Sequence, residues 1–153
     1  MKLTMILCDA AQVAEGKLYI LGGGWNLIGP SPAPSALGIL IALPWDRANA
    51  PFTLRLELHD QDGAPALQPG PAGPQPVRLE AVMEAGRPQG LAEGSPLHIP
   101  LAITVPPLTL TAGTRYRWEA TIADEPEHDD WNLSFQTRPA TPPLTPRAGE
   151  PNN

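Results

Sequence analysis

Apolar and polar side chains alternate along many short segments of this chain, and a period of two predicts β-strands. The clearest case is Phe52–Asp60, where an apolar residue stands at every second position from Phe52 to Leu58. Eight segments have either this alternation or a short, continuous apolar run. They are Lys2–Cys8, Lys17–Leu21, 37–43, Phe52–Asp60, 77–83, Leu97–Val105, Arg115–Ile122 and 131–137. Since no segment has a long helical period, we predict an all-β, antiparallel β-sandwich of about eight strands, immunoglobulin-like or jelly-roll-like.

Two of these segments, Phe52–Asp60 and 77–83, carry complementary charges on their polar faces. If the segments pair, each cross-strand charge pair contributes about 0.2–1 kcal/mol. The pairs are Arg55 with Glu80 and Glu57 with Arg78. The apolar faces matter more, because each buried leucine contributes about 1.5–3 kcal/mol.

The segment 17–25, KLYILGGGW, runs a predicted strand into three glycines and a tryptophan. Glycines do not favour the continuation of a strand, so we predict a bend that brings Trp25 onto the core. An anion-binding glycine loop would need a helix immediately downstream, and the prolines at 30, 32 and 34 exclude one. Residues 9–16 are predicted to be a connection with one helical turn, after which Lys17–Leu21 pairs antiparallel with Lys2–Cys8.

Prolines shape the connections of the predicted sandwich. Residues 61–76 combine the turn signal of Asp62 and Gly63 with several prolines, which predicts a long projecting loop. Pro100 lies inside a predicted strand and therefore predicts an edge position or a bulge there.

The chain divides into a β-sandwich domain, residues 1–137, and a proline-rich tail, residues 138–153. The tail has no hydrophobic periodicity and is predicted to be disordered, because it cannot bury enough apolar surface to offset its ordering entropy. Within the tail, residues 143–147 resemble the proline-rich ligands that bind in aromatic grooves.

Length, charge and cysteine content narrow the function classes. The chain has 153 residues, enough for one domain with one core, and a net charge of −6 that gives no support to a nucleic-acid surface. Its lone cysteine, Cys8, is predicted to be a small buried apolar residue and not a nucleophile. The N-terminal apolar run is too short for a signal peptide, and no segment has the roughly 20 apolar residues of a membrane helix. We therefore expect a cytoplasmic protein that binds neither nucleic acid nor membrane.

Acidic side chains cluster in two places near predicted turns. One cluster contains Asp60 and Asp62, and the other belongs to the loop 123–130. The candidate ligands in that loop are Asp124, Glu127, Asp129 and Asp130. Calcium binds six to eight oxygen ligands, so the two clusters would form a calcium site if the fold placed them at one end. Both clusters lack the residue pattern of a calcium loop, and a solvated charged turn is the simpler interpretation.

Catalytic motifs are absent from the sequence. His59, His98 and His128 lack the spacing of a simple zinc site, and no serine stands in a nucleophile-elbow context. Glycoside hydrolysis by two carboxylates that are distant in sequence is not excluded, although no pair stands out. We therefore expect no enzymatic activity and no cofactor.

The four tryptophans are the remaining candidates for a binding surface. Trp118 and Trp131 fall on the apolar phase of their strands and are predicted to lie in the core. Trp45 stands in a loop before Asp46 and Arg47, and it is predicted to be either a lid on the core or part of a contact surface.

Residues 8–25 read CDAAQVAEGKLYILGGGW. This order, a DxAQVAxGKLYxLGGGW pattern, resembles the N-terminal signature of a family of small, uncharacterised proteins from high-GC bacteria, catalogued as a domain of unknown function. The resemblance continues through 43–46, 54–63 and 113–135. It implies a single all-β, sandwich-like domain made without a signal sequence, and it carries over no catalytic residue.

These observations favour a noncatalytic β-sandwich module for protein–protein contact or self-association. Its contact surfaces would be exposed edge strands and the loop 61–76. The alternative hypothesis is a calcium- or carbohydrate-binding module, in which the acidic loops lie beside Trp45. The expected partner is an unknown protein or a second copy of the chain.

Overall fold

The computed structural model describes residues 1–29 and 33–142 of the chain. This part is built of strands, and its helical content is one 3-10 turn, Trp45–Arg47, so the all-β prediction is confirmed. The strands are β1 (Lys2–Cys8), β2 (Ala10–Ala14), β3 (Lys17–Leu21), β4 (Leu27–Ile28), β5 (Ser35–Leu43), β6 (Phe52–Asp60), β7 (Leu67–Gln68), β8 (Gln75–Pro76), β9 (Arg78–Met83), β10 (Leu97–Val105), β11 (Arg115–Ile122) and β12 (Asn132–Thr137). Over the described residues, no helix has the length and apolar character to cross a membrane.

Two sheets pack around one core. The first has three antiparallel strands in the order β1-β5-β10, and the second has five strands in the order β4-β12-β11-β6-β9. All pairings are antiparallel except that of β12 with the two-residue β4. Buried apolar side chains from both sheets form a single cluster, which makes the fold a β-sandwich.

The continuous apolar run in β5 is explained by its position. β5 lies between β1 and β10, and Leu37, Ile39, Ile41 and Leu43 are fully buried against the second sheet. Its other face is also partly covered, so both faces favour apolar residues.

The alternation in β6 is confirmed as well. Phe52, Leu54, Leu56 and Leu58 are buried, and the polar residues between them point outward. On that outer side, Arg55 Nη2 lies 3.1 Å from Glu80 Oε2, and Arg78 pairs with Glu57. The predicted edge position of the strand that contains Pro100 is also confirmed, because β10 ends the three-stranded sheet.

The prediction for residues 9–16 is wrong. Ala10–Ala14 is a strand, and it pairs with β3, whereas β1 pairs with β5. Glu15 and Gly16 have φ of 51° and 70°, and two left-handed residues form the two-residue turn that closes tight hairpins. The alanine-rich composition of this segment favours a helical turn locally, but pairing with Lys17–Leu21 satisfies its backbone groups better.

The glycine run bends the chain as predicted. Gly22 and Gly24 have φ of 61° and 88°, and the Gly24 N–H donates to the Leu7 carbonyl at 2.8 Å. Trp25 then packs against the core, edge-on to Phe135 at 5.9 Å between ring centroids.

Residues 61–76 do not simply project from the sheet. They contain the short β7–β8 hairpin, and the Ala66 N–H donates to the Leu58 carbonyl at 2.8 Å. The Gln68 side chain bonds the backbone N–H and C=O of Thr109 at 2.8 and 3.0 Å. These bonds fold the segment back onto the sandwich, a tertiary contact that its prolines and glycines could not predict.

One hydroxyl ties the last strand to the loop before β11. Thr137 is fully buried; its Oγ1 donates to the Thr111 carbonyl at 2.6 Å and accepts from the Thr114 N–H at 3.0 Å. In the same loop, Tyr116 Oη accepts from the Thr111 N–H at 2.9 Å, similar to the tyrosine corner of immunoglobulin-type sandwiches. In the predicted tail, residues 138–153, the Arg138 N–H donates to the Ile28 carbonyl at 2.8 Å and the Arg138 carbonyl accepts from the Gly113 N–H at 3.1 Å. Residues 143–153, with the proline-rich segment 143–147, lie outside the described residues.

Candidate functional site

The β2–β3 hairpin lies on the outer face of the three-stranded sheet. Ile20 and Leu18 sit above Gly38 of β5, where an added Cβ would be 2.9 Å from Ile20 Cδ1. Glycine at position 38 therefore permits this close approach. A two-stranded hairpin is at best marginally stable alone, so its packing on β5 and β10 holds it in place.

Two apolar side chains are exposed on the opposite face of the hairpin, which also carries polar residues. Residues directly across an antiparallel pair share a face, so Tyr19 and Leu21 point away from Gly38, with relative exposures of 51% and 71%. Val13 and Ile20, on the inner side, are only partly covered, at 40% and 37%. Leu40, two residues beyond Gly38 on the outer face of β5, is 38% exposed. We call these five residues, which belong to both faces of the hairpin and to the adjacent β5, the hairpin surface.

This clustering is unusual for a surface. Exposed apolar residues normally occur singly, whereas contiguous patches mark sites of contact. Elsewhere in the described chain, the exposed large apolar residues are Leu27, Leu67 and Val82, each on a different strand. The hairpin surface therefore holds five of the eight exposed large apolar residues of the described chain.

The outer face of the five-stranded sheet is instead a ladder of paired charges. Glu57 pairs with Arg78, and Glu119 pairs with Arg117. His59 lies between these carboxylates, with Nδ1 3.0 Å from Glu119 and Nε2 3.6 Å from Glu57. The charges are balanced within the ladder, which is typical of a solvated sheet face.

The structure separates the two predicted acidic clusters. Asp60 lies opposite Tyr116 at the start of β11, whereas Asp124, Glu127, Asp129 and Asp130 follow the end of that strand, about 20 Å away at 3.3 Å per residue. Asp60 Oδ1 already accepts the N–H groups of Asp62 and Ala64, both at 2.9 Å. Among the described residues, no three acidic, histidine or cysteine side chains are arranged to hold a metal.

Calcium is therefore expected to leave thermal stability unchanged. A ligand that binds only the folded state raises the melting temperature, and about 5 mM calcium would saturate a weak extracellular-type site. Melting curves with calcium, compared with equal magnesium as a control for ionic strength, should agree within about 1 °C. A rise that is specific to calcium would contradict this expectation and indicate a site.

Cys8 occupies an apolar position. It is fully buried, and its thiol donates to the Ala36 carbonyl at 3.3 Å. Burial raises the pKa of the Cys8 thiol above its usual value, and the neighbouring Asp9 carboxylate adds to the shift, although a backbone hydrogen bond from Gly38 acts against it. Since the thiolate is the nucleophilic form, this environment suits a packing role.

The tryptophans offer little open ring surface. Trp118 and Trp131 are buried, and His128 stacks on Trp131 at 4.0 Å between centroids. Trp45 is half-buried against the core, and the guanidinium of Arg87 lies 4.6 Å from its ring centre. This is the lid position predicted from the sequence.

The neighbours of Trp45 lie at the surface in different environments. Asp46 is exposed, and Arg47 Nη1 pairs with Glu125 Oε1 at 2.9 Å. A wide recess of 670 Å³, open to solvent, includes Trp45 and Asp46 in its lining, so their assignment to a contact surface stays a prediction.

Two smaller cavities lie beside the other tryptophans. The most enclosed one, between Trp25, Trp118 and Phe135, measures 20 Å³, which is space for one water. A polar recess of 220 Å³ beside His128 and Trp131 is lined by charged side chains, including Arg117 and Glu119, which pair with each other. Both are smaller than the 300–1,000 Å³ of ordinary small-molecule sites.

Sequence reasoning missed the hairpin surface. The segment 17–21 is apolar in both phases of its alternation, so periodicity could not tell which face is covered. The apolar character of both faces was nevertheless a usable signal. A strand at the edge of a small domain can bury only one face, so its other apolar face must be exposed.

Comparison with known proteins confirms the expected family of unknown function. No curated protein matches the chain. A family model described as "Family of unknown function (DUF6941)" matches residues 3–133, from β1 to the start of β12 and including the β2–β3 hairpin. The chain belongs to this family of unknown function, DUF6941.

Proposed function

We propose that this chain is a noncatalytic β-sandwich module for protein–protein contact and that a partner protein binds the hairpin surface. The observation that carries the proposal is the clustering of Val13, Tyr19, Ile20, Leu21 and Leu40, each more than one-third exposed.

The chemistry of the surface supports a protein as the partner. Its large side chains are aliphatic except for Tyr19, whose ring and hydroxyl suit the centre of a protein interface. Charged side chains lie at the turn end of the hairpin, where Glu15 and Lys17 are exposed and can form a polar rim.

The rigid base supports the proposal as well. Ile20 is held above Gly38, so the exposed side of β3 is presented on a packed sheet. A preorganised surface loses less entropy on binding than a flexible loop.

The test compares capture of partners from extracts of the source organism. We expect Tyr19→Ser combined with Leu21→Ser to reduce the recovery of a specific partner at least about tenfold, since buried aromatic anchors dominate interface energies. Leu67→Ser is the matched control, because Leu67 is 55% exposed on another strand. Trp45→Ala tests the recess beside Asp46 separately.

Thermal melting of each variant confirms that it is folded. A partner set that is identical for the wild type and the double variant would contradict a role for the hairpin surface. Loss of the same partner in Leu67→Ser would show general loss of solubility or folding and would also count against the proposal.

A further inference from the structure

Strand β9 is an open edge of the five-stranded sheet. It pairs with β6 on one side, and no strand of the described chain pairs with its other side. The other edges are less suited to pairing: β10 contains Pro100, β4 has two residues, and the Leu7 carbonyl near the end of β1 already binds Gly24. Proline and short length are common means by which proteins protect sheet edges, and β9 has neither.

The apolar side of β9 is incompletely covered. Leu79, Ala81 and Met83 face the core but are only half-buried, whereas Leu54 and Leu56 on the adjacent β6 are 1% exposed. A recess of 180 Å³ beside them is lined by Leu54, Leu56, Leu79, Ala81 and Ile103. On the outer side, Val82 is 72% exposed, the highest value for a large apolar residue in the described chain.

The backbone of β9 fixes which residues can pair outward. The Leu58 N–H donates to the Val77 carbonyl at 3.1 Å, so Val77 directs its carbonyl toward β6. Because hydrogen-bonded and non-bonded pairs alternate along an antiparallel ladder, Leu79, Ala81 and Met83 also bond toward β6. The backbone groups of Arg78, Glu80 and Val82 therefore point to the open side.

We propose that β9 pairs antiparallel with β9 of a second copy of this chain, about a twofold axis at Ala81. The two five-stranded sheets then form one continuous sheet of ten strands. This inference goes beyond the proposed contact function, because it uses a different surface and commits to a second copy as the occupant.

The register follows from the charges of the residues that lie opposite each other and from the face of the sheet to which each residue points. With Ala81 opposite its own copy, Glu80 lies opposite Val82, and Arg78 lies opposite the exposed Glu84. Twofold symmetry gives each of these pairs twice. Outward-pointing residues then face one another, and alanine suits the close approach of a non-hydrogen-bonded pair at the axis.

Apolar packing is also completed in this register. Leu79 lies opposite Met83 of the copy on the core side, so the half-buried apolar row of one sheet continues into the other. Cross-strand pairs of this kind are the unit by which sheets are stabilised.

Neighbouring registers are unfavourable. A shift that centres the axis on Glu80 places this carboxylate opposite its own copy. A shift in the other direction, centred on Val82, places Glu80 opposite Glu84. Like charges directly opposite are destabilising, whereas the register centred on Ala81 pairs opposite charges.

The expected affinity is modest. Two six-residue strands bury less surface than the roughly 1,200–2,000 Å² of stable complexes, so we expect a dissociation constant in the micromolar range or weaker.

The test is a charge exchange followed by sedimentation from about 1 μM to about 1 mM protein, a range chosen to bracket that affinity. The wild type is expected to form dimers. Arg78→Glu places two carboxylates opposite each other, and Glu84→Arg places two guanidiniums opposite each other. The dimer affinity of each variant should therefore fall at least about tenfold.

An equal mixture of the two variants is the decisive measurement. In the mixed dimer, each new carboxylate at position 78 faces a new guanidinium at position 84, and the two native side chains again form an opposite pair. The mixture should therefore dimerise more strongly than either variant does alone. Arg115→Glu, an exposed change on β11 away from the edge, is the control for net charge and should leave dimerisation unchanged.

The outcomes separate the two proposals. A wild type that stays monomeric at about 1 mM, or a mixture that fails to recover dimers, overturns β9 pairing while leaving partner binding at the hairpin surface intact. A dimer that is lost in the Tyr19→Ser, Leu21→Ser variant and unaffected by the charge changes also overturns it, and assigns self-association to the hairpin surface.

Discussion

Replacing Trp118 with alanine is expected to destabilise the fold by about 3–5 kcal/mol. The side chain is 1% exposed on the central β11, between Leu58 and Leu133 of the neighbouring strands. Its ring also borders Leu7 and Val105 of the opposite sheet around the 20 Å³ cavity. Truncation removes contacts with both sheets and enlarges that cavity, and both effects favour the unfolded state.

Urea unfolding measures this loss as a shift of the midpoint with an unchanged slope. Trp45→Ala is the matched control, because Trp45 is half-buried at the margin of the core beneath Arg87. A loss for Trp118→Ala no larger than the loss for Trp45→Ala would contradict a core centred between the two sheets.

Replacing Thr137 with valine is expected to cost about 1–3 kcal/mol. Valine preserves the shape of the buried side chain but leaves the partly buried Thr114 N–H and Thr111 carbonyl without the hydroxyl that bonds both. An unsatisfied buried polar group costs more than the bond itself contributes, because its hydration is not recovered.

The control is Thr137→Ser, which keeps the hydroxyl and loses one methyl group. Chemical denaturation should show a smaller loss for the serine variant than for the valine variant. Hydrogen exchange should also increase at the Thr114 and Gly113 amides in the valine variant, since both lie in the loop that the hydroxyl holds. Equal stability of the valine and wild-type proteins would contradict the role assigned to the hydroxyl.

The two proposed surfaces lie on different sheets and can act together. A dimer joined through β9 carries two hairpin surfaces, one on each three-stranded sheet. Two linked sites bind a partner that presents two copies of its own site more strongly than one site does, without any new contact. Weak self-association would then control the strength of partner binding through protein concentration.

Local patterns determined the class of the fold and the bounds of its main strands. The alternation from Phe52 to Asp60 identified β6, because one face of each strand packs on the other sheet and burial repeats every two residues. Pro100 indicated an edge or a bulge because proline has no N–H to donate to a neighbouring strand. The charge pairs of β6 and β9 followed from the same alternation.

Only the tertiary structure decided the features that depend on contacts between segments distant in sequence. Residues 10–14 became a strand because a partner strand was available, against their local preference. Asp60 and Asp124 were separated because β11 runs between them, and the role of Thr137 appeared only when the loop before β11 folded over it. The exposure of Tyr19 and Leu21 was likewise decided by the docking of Ile20 on Gly38, since an apolar side chain becomes a surface only when nothing in its own chain covers it.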